Sequence, residues 1–171
     1  KQVQKLEGET PLFRLPAELR FRVKGKDVTL PVEIRDAAEV WSFPLDAEPT
    51  QAIFDPGQHL LKKVDFEKPK KLLLDELAHA TEAADRSAAA RALGRQGSAD
   101  VIAALTKALG ADPFWGVSAA AAEALGSIRG AAARASLVAA VKTMRNPKAR
   151  RAVAKALGDF RHDEEAAAAL E

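Results

Sequence analysis

The sequence predicts a β plus α protein in two parts, a small antiparallel β-sandwich followed by an α-helical solenoid of stacked helix pairs. Three observations carry that prediction. Apolar residues alternate with a period of two up to about residue 66. From Pro69 onward the alternation gives way to helical spacing. Within the helical part, Leu93-Gly94, Leu125-Gly126 and Leu157-Gly158 recur at intervals of 32 residues. A fixed interval of this size marks one supersecondary unit stacked on copies of itself. The two parts are expected at 1–66 and 67–171.

The strand signals come first. "AELRFRV" (17–23) alternates Leu19, Phe21 and Val23 with Arg20 and Arg22, the pattern of a half-buried strand. "KGKD" supplies a turn around Gly25. In "VTLPVEIR" (28–35), Val28, Leu30, Val32 and Ile34 share a face, and Pro31, which has no N–H to donate, predicts an edge strand or a bulge. "EVWSFPL" (39–45) puts Trp41, Phe43 and Leu45 on one side, and "TQAIF" (50–54) runs into the turn "DPG". Short strands at this spacing amount to about five, enough for a small sandwich.

The helix signals follow in order. "PKKLLLDELAHA" opens with Pro69 and puts Leu73, Leu74 and Leu77 on one face. Helix pairs are then predicted at about 84–93 with 99–109, 116–125 with 131–144, and 147–157 with a last helix from Asp163. Each pair carries the phrase Ala-x-Ala-Leu-Gly, with Arg91, Glu123 and Lys155 at x, expected on the solvent side. Small residues such as Ala89, Ala90, Ala121, Ala122 and Ala154 predict close helix approach, and Gly94 is expected in the left-handed conformation that ends many helices.

Composition excludes several classes of function. The 171 residues are 47% hydrophobic, enough for a real core. The formal charge is +2 and neither part is a polycation, which argues against a nucleic-acid or membrane-surface partner. There is no cysteine, hence no disulfide framework and no thiolate chemistry, which fits the cytosol. No apolar run approaches the roughly 18–20 residues of a membrane span. Lys1 stands where a start Met is expected and Leu170-Glu171 reads as a vector-derived remnant, so the sequence is expected to be a piece of a longer chain.

Two resemblances sharpen this reading. Helix pairs of 32 residues with Ala-x-Ala-Leu-Gly resemble short HEAT-like repeats, whereas the aromatic positions of tetratricopeptide repeats and the ankyrin phrase are missing. "PLFRLPAELRFRV" and the stretch from Val28 to Phe66 resemble the β-sandwich of M1-family zinc aminopeptidases. The matching residues are Phe13, Leu15 and Pro16 at the entry, the aromatic strand ending at Leu45, Pro49, then Asp55-Pro56 and Leu60-Leu61. In that family a helical superhelix follows the sandwich and closes over the active-site chamber. The resemblance implies a non-catalytic C-terminal region whose partner is the catalytic domain of the parent chain, where zinc would reside. The family's His-Glu-x-x-His helix has no counterpart here: His59, His79 and His162 stand far apart. No catalytic, cofactor-binding or metal residue is therefore expected in 1–171.

Three residues are candidates for contact with a peptide or protein. Arg129 and Arg161 occupy positions 32 apart between the helices of their pairs, where a row of guanidinium groups can grip carboxylates or simply bind helix-end carbonyls. Trp115, with Phe114, breaks the small-residue rule; packing between repeats is expected, with an exposed anchor as the alternative. His79, flanked by Glu76 and Glu82, reads as a solvated helix face, and His162 as a turn before an acidic helix start. The basic run from Lys62-Lys63 to Lys68–Lys71 reads as a solvated junction. The function expected is that of an accessory wall of a zinc aminopeptidase. The alternative is a HEAT-repeat scaffold binding a protein partner, with no peptidase attached.

Overall fold

The computed structural model describes residues 12–171 except Asp65; Pro11, the first residue of the aminopeptidase-like stretch, lies outside the described residues, as does Asp65 within it. The chain divides into two compact units, Lys1–Glu67 and Lys68–Glu171.

In the first unit, β1 (Leu15–Val23) and β2 (Lys26–Ile34) form an antiparallel hairpin in which Leu15 faces Ile34 and Val23 faces Lys26. Lys24 and Gly25 both take positive φ, 47° and 77°, the geometry of a two-residue turn that matches strand twist. β3 (Gln51–Phe54) pairs with the other side of β1, giving the order β2-β1-β3. Pro31 therefore sits on an edge strand, as its missing donor requires, and the β1–β2 register runs through it without a bulge.

The described residues hold these three strands in one sheet rather than about five. The stretch 39–45 is not a strand, and its alternation is kept only in part: Phe43 and Leu45 are half-buried, with the Phe43 ring 5.7 Å from that of Phe21, whereas Trp41 is exposed. Pro44, in its middle, cannot donate to a ladder. After β3 the chain turns sharply at Asp55, Gly57 and Gln58, all with positive φ. The buried Asp55 carboxylate organises this turn by accepting from the backbone N–H groups of His59 (3.1 Å) and Leu60 (2.9 Å) and from Lys62 Nζ. Burial pushes its pKa up, but Lys62 and the two N–H donors outweigh that and hold it below the ordinary range.

The second unit contains seven helices: α1 (Lys70–His79), α2 (Ala83–Leu93), α3 (Ala99–Ala111), α4 (Trp115–Ile128), α5 (Ala131–Thr143), α6 (Pro147–Leu157) and α7 (Glu164–Ala168). They form two layers, α2-α4-α6 and α1-α3-α5-α7, and the seams between layers join α1 to α2, α3 to α4 and α5 to α6. Equivalent positions fill the core. Leu93, Leu125 and Leu157 are buried, as are Leu105 with Leu137, and Ala89 and Ala121 with Val153. α6 starts as its sequence dictates, with Pro147 in the first turn and the Asn146 side chain accepting from the N–H groups of Lys148 and Ala149. Ser98 precedes α3 without capping it. Its hydroxyl and, more strongly, the Lys70 ammonium bind Asp100, whose pKa falls to about 2.

Candidate protein-binding surface

The repeated glycine acts differently from the expectation. Gly94 and Gly158 have right-handed helical φ, −60° and −61°, and Gly126 lies inside α4. What the first two positions of the series demand is close approach. A Cβ on Gly94 would stand 2.9 Å from Ala124 Cα, and one on Gly126 would stand 3.1 Å from Ala156 Cβ and 3.3 Å from Ala156 Cα. Each glycine thus receives the Ala of the next Ala-Leu-Gly phrase, so successive helices of one layer touch almost backbone to backbone. The x positions do face solvent, and Arg91 and Glu123 meet across neighbouring repeats at 3.5 Å.

On this stacked frame, the N-terminal end of α4 carries an exposed aromatic pair. Phe114 is 44% and Trp115 37% exposed, so neither is core filling, and their ring centroids are 5.6 Å apart at an angle of 44°. Gly116 makes room for the pair: a Cβ there would lie 2.5 Å from the Phe114 ring. Lys148, at the start of α6, places its ammonium 4.7 Å from the centre of the Trp115 ring. Asp112 fixes the approach to α4, accepting from the Phe114 N–H at 2.9 Å while held by a bidentate Arg86. That carboxylate raises the Arg86 pKa.

The two arginines lie elsewhere. Arg129 caps the C-terminal end of α4 with φ 55°, and Arg161 follows α6 by four residues; both are exposed. α4 has 14 residues, which at 1.5 Å per residue puts Arg129 about 20 Å from Trp115. The three candidate residues therefore do not form one site. A left-handed conformation costs an L-residue energy that glycine avoids. Arg129→Gly is expected to stabilise the helical unit by about 0.5–1 kcal/mol, read from urea melts. A loss of stability would mean that the Arg129 side chain holds the helix end.

Two grooves mark the other layer. One, of about 610 Å³, runs between α3 and α5 past Ala103 and Ala132, with Thr106 bonded to Ser136 across it at 2.8 Å. The other, of about 370 Å³, lies beside α1 and α3 between Leu77, Lys107 and Arg86. His79 contacts Asp75 at 3.2 Å rather than Glu76, which is buried and bound by Lys68 at 2.7 Å. Among the described residues no group of three or more His, Asp or Glu could hold a metal ion.

Sequence reading missed the Arg86–Asp112 clamp, whose members stand 26 residues apart outside any repeated phrase. It also missed the basic face of α6, although the spacing of Lys148, Arg151 and Lys155 was visible. A family model described as HEAT repeats matches residues 71–144 and again 112–171. No curated protein matches the chain.

Proposed function

Since the chain belongs to the HEAT-repeat family through residues 71–171, we propose that its helical unit is a scaffold for a protein partner, contacted at Phe114 and Trp115. The observation carrying this reading is that exposed pair. Every other large apolar side chain described in the helical unit is covered at least in part, apart from Leu170 near the end of the sequence. Tilted aromatic rings on a rigid array are favoured anchors for a partner's side chains. The test is a photo-crosslinking amino acid at position 115, with a second at Ala139 on α5 as control, and identification of the captured protein. One protein captured at 115 and not at 139 supports the reading; equal capture at both removes it.

A second reading places the same region in an M1-like zinc aminopeptidase, with the repeats walling the active-site chamber and zinc held in the parent's catalytic domain. The order of sheet then helices, and Phe13, Leu15, Pro16, Asp55 and Pro56, support it. Zinc content and aminoacyl-anilide hydrolysis by the parent chain test it, and a parent with neither rules it out.

A further inference from the structure

The cations of α6 lie beside the aromatic pair. From Arg145 to Gly158 the chain carries five cations and no Asp or Glu. Lys148, Arg151 and Lys155 follow one another at i, i+3 and i+7, one exposed strip of the helix, with Arg145 and Arg150 exposed as well. Among the described residues no carboxylate pairs with any of the five. Elsewhere in the unit Lys68, Lys70, Arg86, Arg91 and Arg134 each meet a carboxylate within ion-pair distance, while cations such as Lys107 and Lys142 meet none among the described residues. What sets this stretch apart is that its unneutralised cations are gathered in one short run with no acidic residue among them. The carboxylate in register with Lys155 on the neighbouring helix is Glu123, and it faces Arg91. Like charges at this spacing repel along a helix, so the strip favours an anionic neighbour. It also begins at the aromatics, because Lys148 covers the Trp115 ring.

We propose that this surface binds an acidic protein segment, with its carboxylates along Lys148, Arg151 and Lys155 and an apolar side chain on Phe114. This rests on the scaffold reading and names the partner's chemistry. A nucleic acid fits less well: Lys148 occupies a face of Trp115, and two rings tilted by 44° at 5.6 Å leave no parallel slot for a base.

The test is fluorescence anisotropy of a synthetic Glu/Asp-rich peptide carrying one Leu, against the full chain. The Lys148→Glu, Arg151→Glu double variant is expected to weaken binding at least about tenfold, and raising NaCl from about 0.05 to about 0.5 M is expected to do the same. Lys142→Glu, on the exposed surface of α5, is expected to leave it nearly unchanged, with circular dichroism melts confirming that all variants fold. Equal weakening by Lys142→Glu would overturn the proposal, because the attraction would then be diffuse. Tighter binding of an oligothymidylate than of the peptide would overturn it in favour of nucleic acid. If the peptide fails to bind while position 115 still crosslinks one partner, the acidic chemistry falls and the scaffold reading stands.

Discussion

Gly94→Ala is expected to destabilise the helical unit by about 2 kcal/mol, whereas Gly158→Ala leaves its stability unchanged or slightly higher. Both replacements add one methyl group to a residue with right-handed helical φ, so backbone preference favours Ala equally at both. The surroundings differ. At position 94 the methyl meets Ala124 Cα at 2.9 Å, and that neighbour is backbone held in the middle of α4. It cannot swing aside as a flexible side chain would, so α2 and α4 must part and their buried faces lose contact. At position 158 the methyl meets only the carbonyl oxygens of Lys155 and Ala154, at 3.2 and 3.8 Å, in its own preceding turn. Gly126→Ala is intermediate, since Ala156 Cβ stands at 3.1 Å. Thermal melts read the difference directly, because about 2 kcal/mol in a unit of this size lowers Tm by roughly 10 °C. Equal melting of the Gly94 and Gly158 variants would refute close approach as the reason for the repeated glycine.

The same glycines show what the sequence can and cannot disclose. Their spacing announced the repeat and its helices to within a few residues, because periodicity is a local property of the chain. Their role was misassigned, because a glycine after a leucine marks a helix end or a close contact equally well. Only the neighbour across the interface, Ala124 or Ala156, decides between them. The sheet shows a related limit. Alternation at 39–45 predicts the inward turn of Phe43 and Leu45 but fails for Trp41, which is exposed; Pro44 denies that stretch a place in the ladder, and pairing is a non-local property. Trp115 reads as packing by composition, yet it is exposed beside Lys148. The charge of α6 was legible residue by residue; that it stays unneutralised depends on where the acidic residues of the other helices lie.

Arg86→Ala is expected to cost the helical unit about 3 kcal/mol, the scale for breaking a buried ion pair by removing one partner. The pair qualifies as buried, with side-chain exposures of 12% for Arg86 and 6% for Asp112. Its guanidinium ties three segments together. Nε and one terminal nitrogen grip Asp112 at 2.7 and 3.0 Å, and the other terminal nitrogen donates to the carbonyls of Ala80 and Thr81 at 3.0 and 2.9 Å. Truncation strands a desolvated carboxylate and two carbonyls. Replacing both partners by apolar residues, Arg86→Met with Asp112→Leu, is expected to recover much of the loss, giving a coupling of about 2 kcal/mol in a double-mutant cycle. A single-variant loss below about 1 kcal/mol would show the pair to be energetically a surface one. Asp112 also accepts from the Phe114 N–H, so the double variant releases the aromatic pair even where stability returns. Partner capture at position 115 should then fall in a well-folded protein. Stability and binding would part company at this one carboxylate, because Asp112 both closes the α3–α4 connection and aims the rings that follow it.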